Sequence, residues 1–349
     1  MKVAVVGTVG LPACYGGWET LVDNIVKSKN HHVEYTVYCS SKNYTAKLET
    51  YNEAKLVYLP FSANGISSIF YDVLSLIHTW FTRPKVVLIL GVSGCFFIPL
   101  YKVFSNSKVI VNVDGIEWKR DKWGRFAKSF LKFSEAIAVK FSDVIVADNQ
   151  GISDYLKLEY GKSAEIIAYG GEHAIVLDEI SSNSQFYFTV CRVEPENNVE
   201  MILSAFSSNN LNYKIVGNWQ ASSYGTELKA KYSQFKNIEL IEPVYDLKVL
   251  FQYRNACKGY IHGHSVGGTN PSLVEIMHFG KQVFAYDCSF NRYTTEDQAV
   301  YFDSAEELNL ALASNSEVSN NPNLKEIALR RYTWDVITKD YESMYENPY

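Results

Sequence analysis

The sequence predicts an α/β protein built on two doubly wound parallel sheets. Two observations carry that expectation: apolar runs of strand length alternate with helical patterns along the chain, and the alternation stops and restarts once near the middle. In the first half, strands are expected at Val3 to Val6, Val33 to Cys39, Leu56 to Leu59, Val86 to Leu90, Val109 to Val113, Val144 to Ala147 and Ile166 to Ala168. Helical patterns lie between most of them. In SSIFYDVLSLIHTWF, for example, Ile69, Val73, Leu76 and Ile77 fall on one stripe at helical spacing. A break follows at Gly170 to Ser184, where YGGEH leads into the polar DEISSNSQ. The pattern restarts with Tyr187 to Val190, Tyr213 to Val216, Ile238 to Ile241, Gly259 to Ile261, Val283 to Tyr286 and Val300 to Phe302. Domains are therefore expected at 1–175 and 176–330, each large enough for its own core, with 331–349 set apart as a closing segment.

Of the 349 residues, 47% are hydrophobic and 20% charged, as in a soluble globular protein, and the net charge of −5 gives no reason to expect a nucleic-acid partner. The cysteines, Cys14, Cys39, Cys95, Cys191, Cys257 and Cys288, show no CxxC spacing, so neither a zinc site nor a disulfide framework is expected. A reducing cytosol is the simplest setting. The N-terminus enters a strand with no basic leader or cleavage site, which argues against secretion. The stretch VVLILGVSGCFFIPLY is interrupted by Gly91, Gly94 and Pro99 and falls short of the roughly 20 residues that span a bilayer. It reads as a buried parallel strand, Val86 to Leu90, followed by a loop and a helix.

In doubly wound sheets ligands sit at the carboxyl ends of strands, and two such edges are expected to face each other across a cleft. TVGLPACYGGWET follows the first strand. It lacks G-x-G-x-x-G, and VYCSS ends the next strand without an acidic residue for a ribose, so a nicotinamide site is not expected. Gly16 and Gly17 adjoin the first turn of a helix, where unpaired N–H groups attract an oxygen-rich ligand; a purely structural turn is the alternative. In HGHSVGGTNPSLVEIMHFG, Asn270 is a good N-cap, Pro271 a first helical residue and Gly280 a C-terminal stop, predicting a helix from about Pro271 to Phe279. Gly267 and Gly268 precede it with free backbone donors, and Glu275 shares a face with Ser272 and Phe279, placed to accept from vicinal hydroxyls unless it is simply an exposed helix glutamate. In TVCRVEPENN, Arg192 follows a strand and suits a diphosphate by its forked geometry; a surface arginine is the plainer reading. In VIVNVDGIEWKRDKWGRFAKSFLKF, Asp114 ends a strand. Beyond it Arg125, Lys128 and Lys132 share one helical stripe and Phe126, Phe130 and Phe133 another, with Trp118 and Trp123 nearby. This suits an anionic membrane surface, the alternative being aromatic core beneath a solvated basic face.

Taken in order, these loops resemble those of the GT-B fold glycosyltransferases of family 4, retaining nucleotide-sugar enzymes. IVGNW, IELIEPVYD before LKVLFQYRNA, and the closing RYTWDVITKDYESMY extend the likeness over nearly the whole chain. GTVGLPACYGGWETLV, NVDGIEWKRDKWG, EPENN and HGHSVGGTNPSLVE look most like the rhamnosyltransferases of bacterial capsule and cell-wall polysaccharide assembly. The resemblance implies an acceptor-binding first domain, a nucleotide-sugar-binding second domain and a C-terminal helix crossing back to the first. It implies transfer from dTDP-L-rhamnose to a lipid-diphosphate-linked saccharide, on the inner face of the cell membrane, with no metal or cofactor.

Carried over by residue, Glu275 matches the ribose-binding second glutamate of the family's E-x7-E motif, and Gly267 stands where the first glutamate is expected. Gly268, Thr269 and Asn270 fall in the donor loop. Arg192 matches the diphosphate arginine, whereas the lysine expected five residues later is Asn197, leaving less positive charge there. Gly16 and Gly17 match the loop over the donor phosphates, with Glu19 beginning its helix, and Asp114 stands where many members carry a histidine near the donor sugar. Pro12, Tyr15, Glu117 and Trp118 fall on the acceptor side, and His264 is a further candidate without a family role. The implied reaction is front-side displacement, the leaving phosphate helping to take the acceptor's proton. Arg192 and the amides of Gly16, Gly17, Gly268 and Thr269 would stabilise the growing charge, and Asp114 would orient a hydroxyl or balance the oxocarbenium character. A UDP-hexose donor on the same fold, and a non-catalytic nucleotide-sugar or saccharide-binding protein, are the competing readings.

Overall fold

The computed structural model describes residues 1–14, 16–28, 32–119, 123–176 and 185–346. The chain divides into two compact units, Met1–Ala168 together with Trp334–Tyr349, and Tyr169–Thr333.

The first unit runs β1 (Lys2–Val6), α1 (Gly17–Ser28), β2 (Glu34–Ser40), β3 (Thr50–Tyr51), β4 (Ala54–Leu59), α2 (Ser67–Thr82), β5 (Val86–Leu90) and α3 (Ile98–Phe104). It continues with β6 (Lys108–Asn112), α4 (Arg125–Phe141), β7 (Val144–Ala147), α5 (Gln150–Tyr160) and β8 (Glu165–Ile166). The strands form an eight-stranded sheet in the order β3-β4-β2-β1-β5-β6-β7-β8. It is parallel throughout except at β3, which pairs antiparallel with β4 through a tight turn with Asn52 and Glu53 at φ of 44° and 63°. β5 is buried at every residue, which is why it reads as an unbroken apolar run.

The second unit runs β9 (Phe186–Val190), α6 (Val199–Ser207), β10 (Asn212–Val216), α7 (Ser223–Tyr232), β11 (Ile238–Ile241), α8 (Leu247–Ala256) and β12 (Gly259–His262). It ends with α9 (Pro271–Met277), β13 (Gln282–Tyr286), α10 (Ser289–Thr295), β14 (Val300–Phe302), α11 (Ala305–Ser314) and α12 (Pro322–Arg331). Its six strands are all parallel, in the order β11-β10-β9-β12-β13-β14. The closing helix α13 (Trp334–Glu346) packs against α1 in the first unit and buries Trp334, Ile337, Tyr341 and Tyr345.

One local expectation is corrected. α9 stops at Met277, two residues early, and the turn continues to Gly280 at φ 63°. On α2 the stripe of Ile69, Val73, Leu76 and Ile77 is half-buried except at Leu76, which is fully buried. The inward face consists of Tyr71, Asp72, Ser75, Leu76 and Thr79. Ser75 donates to the Tyr71 carbonyl, Thr79 to the Leu76 carbonyl, and Ser93 to one oxygen of Asp72, whose other oxygen has no hydrogen-bond partner among the described residues.

The strand order reverses between β1 and β5 in one sheet and between β9 and β12 in the other. The loops leaving the carboxyl ends of those strands are where such sheets open a ligand crevice.

Candidate functional site

In the second unit the β9 and β12 loops are tied to each other. Asn198 Nδ2 donates to the Gly263 carbonyl at 2.8 Å, and Ser265 donates through both its N–H and its hydroxyl to the Glu196 carbonyl. A Cβ on Gly263 would lie 2.2 Å from the Asn197 carbonyl oxygen, so only glycine permits this approach. Arg192 stands just beyond β9 with its side chain 46% exposed and its guanidinium 3.5 Å from Glu194. An exposed pair of this kind contributes ~0–1 kcal/mol, so the guanidinium is readily redirected to a stronger anion.

Asn197 explains the absent lysine. Its side chain is buried, Nδ2 donating to the Arg192 carbonyl at 2.9 Å and Oδ1 lying 2.8 Å from His264 Nδ1. With the amide nitrogen engaged as donor, Oδ1 accepts, so the proton of a neutral His264 sits on Nδ1 and Nε2 is left as the acceptor. A lysine ammonium here would be desolvated and could not accept from His264. Nε2 faces Gly267: a Cβ there would come within 3.5 Å of it. Gly267 has φ 109°, a conformation that a glutamate would adopt only under strain. Asn270 caps α9 as expected, accepting from the N–H and hydroxyl of Ser272 at 3.1 and 2.8 Å, while Thr269 is buried and Gly268 half-buried. His262, two residues before His264 at the end of β12, is a core histidine. Burial, assisted by nearby His264, holds its pKa down at about 3.

Glu275 turns inward, where it forms an ion pair with Arg254 of α8 and lies 3.3 Å from His173 Nε2. Arg254 is 3% exposed, and its Nε and Nη1 make no hydrogen bond to the described residues. Burial pushes the Glu275 pKa up, but Arg254 and then His173 outweigh it and hold the carboxyl below its ordinary range. Neither partner was expected. Arg254, in an otherwise core-facing position of LFQYRNA, was the available signal.

In the first unit the glycine loop after β1 is organised by Glu19. This buried carboxylate reaches back from α1 to accept from Thr8 Oγ1 at 3.0 Å and from the Val9 N–H at 2.7 Å. Gly16 accepts from the N–H and hydroxyl of Thr20, and Gly17 opens α1. Pro12 is exposed and its carbonyl accepts from Tyr44; Tyr15 lies outside the described residues. Replacing Glu19 with Ala leaves two buried donors unpaired, so a loss of about 2–3 kcal/mol is expected in urea unfolding. A change under ~0.5 kcal/mol would show that the loop is held by other means.

Asp114 follows β6 in the left-handed region, φ 62°, its N–H donating to Asn112 Oδ1 at 3.0 Å. Asn112 in turn donates to Tyr341 of α13 at 2.7 Å, so the closing helix braces the strand end that carries Asp114. Glu117 accepts from Trp123. Trp118 donates to the Tyr155 hydroxyl, which donates to buried Glu135, and it lies beneath the ammonium of Lys132 at 4.7 Å. Lys132 also pairs with Glu159 at 2.7 Å. Of the basic stripe, Arg125 is exposed and Lys128 half-buried, while Lys132 is engaged within its own unit. Phe130 packs on Phe96, leaving Phe126 and Phe133 exposed.

Residues 1–172 match a family described as a domain of unknown function (DUF1972). None of the curated proteins compared matches the chain. Among solved structures, sucrose-phosphate synthase from Thermosynechococcus elongatus is similar over 99% of this chain and 98% of its own, with TM-score 0.80 at 13% identity. HepE from Anabaena, in complex with UDP-glucose, is similar over 99% of both chains, with TM-score 0.76 at 14% identity. The chain has the GT-B fold. A glycosyltransferase from Rickettsia africae is similar as well, over 99% of this chain and 97% of its own, with TM-score 0.75 at 12% identity. At these identities the likeness establishes the architecture expected from the motif order and leaves the substrate to the site residues. Among the described residues no cluster of His, Cys, Asp and Glu is arranged to hold a metal, and no helix is long and apolar enough to cross a membrane.

Proposed function

We propose that the chain is a retaining glycosyltransferase that moves L-rhamnose from dTDP-L-rhamnose to a lipid-diphosphate-linked saccharide, in capsule, O-antigen or cell-wall polysaccharide assembly on the inner membrane face. The observation that carries this reading is the β9/β12 switch point, where a redirectable arginine, a glycine-rich loop and an ionised glutamate on the following helix belong to one unit of GT-B fold. HepE, bound to UDP-glucose, supports a nucleotide-sugar donor. The HGHSVGGTNPSLVE and NVDGIEWKRDKWG strings support rhamnose and the lipid-linked acceptor.

In this reading Arg192 and the amides of Gly268 and Thr269 take the diphosphate, where negative charge grows as the sugar–oxygen bond breaks. Glu275, kept ionised by Arg254, accepts from the ribose hydroxyls. His264, aimed by Asn197, directs its second nitrogen at the donor loop and hydrogen-bonds the leaving group when protonated. In the first unit, the loop at Gly16 and Gly17 serves the donor phosphates. Pro12, Tyr15, Glu117 and Trp118 serve the acceptor, and Asp114 orients its hydroxyl.

The purified protein is to be offered dTDP-rhamnose, UDP-glucose and UDP-galactose with membrane-extracted lipid acceptor, and free nucleotide measured. dTDP release alone is expected. Faster UDP release would instead favour the hexose reading that HepE suggests, and donor binding without release would favour a non-catalytic binding protein.

A further inference from the structure

The first unit carries an apolar face that its own fold leaves uncovered. β5, β6 and β7 are neighbours in the sheet, and α3 packs against both α2 and α4. α2 buries Asp72, Ser75 and Thr79 beside Tyr71 and Leu76 and leaves Phe70, Leu74 and Phe81 exposed, with Ile66 exposed at its start. Phe81 is 80% exposed. α3 adds Leu100, Val103 and Phe104, and α4 adds Phe126, 95% exposed, and Phe133. Where α2 and α3 end, Trp80, Phe81, Arg83 and Phe104 line a groove of about 700 Å³. Soluble monomers rarely leave so many large apolar side chains bare on one layer.

Charge selects the occupant. The acids of these three helices are Asp72 and Glu135, both buried. Arg83, Lys85, Arg125 and Lys140, on and beside them, are exposed cations, while the exposed acid beside α4, Glu159, is neutralised by its pair with Lys132. A second copy docked on the same face by a two-fold axis would set cations against cations. An anionic bilayer pairs them with lipid phosphates while the aromatic and aliphatic side chains enter the headgroup boundary.

We infer that the α2–α3–α4 face is a docking plane for an anionic lipid bilayer, running from Phe126 at the start of α4 to Phe81, Val103 and Phe104 at the ends of α2 and α3. This deepens the proposed function and rests on it for its purpose, which is to bring the enzyme to a lipid-linked acceptor. It also moves the contact away from the basic stripe of α4 alone, since Lys132 is held by Glu159 and Trp118.

The test is flotation of the full chain with vesicles of phosphatidylcholine, with and without about one part in three of phosphatidylglycerol. The protein is expected to float with the anionic vesicles only, less at ~0.5 M salt, and to sediment as a monomer without lipid. Phe81→Ser/Val103→Ser/Phe104→Ser should weaken vesicle binding by about 100-fold, and each of Arg83→Gln and Arg125→Gln by roughly fivefold. Because these side chains are exposed, the variants should keep wild-type melting and donor binding. Equal flotation with neutral vesicles, a triple variant that floats like the wild type, or a wild-type dimer that the triple variant dissociates would overturn the inference. Turnover in solution without vesicle binding would remove the docking plane and leave the enzyme reading; vesicle binding without any donor turnover would support the plane and remove that reading.

Discussion

Glu275→Ala is expected to lower the unfolding midpoint of the second unit by roughly 6–20 °C, the largest single-residue effect on stability anticipated in this chain. The substitution leaves the Arg254 guanidinium buried, with Nε and Nη1 already lacking partners among the described residues and Nη2 losing its carboxylate. Removing one member of such a pair costs about 3–5 kcal/mol, because the surviving charge stays desolvated. Glu275→Ala/Arg254→Met should recover much of this, since replacing both charges removes the uncompensated one. The pair also has a pH signature. The folded-state pKa of Glu275 is depressed, so its stabilisation is present above the ordinary glutamate value of 4.5 and is lost as pH falls through the lower folded value. The double variant should therefore lose less stability than the wild type on acidification below that point. Thermal melts of the three proteins at neutral and acid pH read both effects. A single variant that melts like the wild type would show that Arg254 does not depend on this carboxylate.

Arg192→Ala is expected to reduce sugar transfer by about 10²–10³-fold, with stability changed by less than ~0.5 kcal/mol. The two halves of that expectation come from different atoms of one residue. The carbonyl of Arg192 holds Asn197 and survives the substitution, whereas the side chain pairs with half-exposed Glu194. Arg192→Lys should recover part of the rate, because the ammonium keeps the charge but loses the forked geometry that suits a diphosphate. A steady-state comparison with dTDP-rhamnose, alongside melting curves, separates loss of function from loss of fold. Wild-type transfer by Arg192→Ala would remove this residue from the donor site.

The strands were legible because parallel central strands are covered on both faces and read as short, unbroken apolar runs, as β1, β5 and β6 do. β3 was not, since two residues pair there and no periodicity can register in so short a segment. The apolar spacing of α2 marked a helix without telling which of its faces is buried. Apolar periodicity marks the buried side only when apolar groups are buried, and this helix places hydrogen-bonded Asp72, Ser75 and Thr79 inside. The site was legible where its chemistry is local, at the Asn270 cap and the Gly267-Gly268 turn. It was opaque where side chains from distant segments meet: Arg254 and His173 at Glu275, Asn197 against His264, and Glu19 clasping Thr8 and Val9. Trp118, expected on the acceptor side, also anchors a network through Tyr155 and Glu135 that nothing in its own neighbourhood announces.

The central claim is that the second unit holds a nucleoside diphosphate through its β9/β12 loops. Calorimetric titration of the full chain with dTDP-rhamnose, dTDP and dTMP tests it most directly. Saturable binding of the first two is expected, with the monophosphate at least about tenfold weaker because it lacks the second phosphate for the Arg192 fork. Binding of dTMP as tight as that of dTDP, or binding of none of the three, would contradict it.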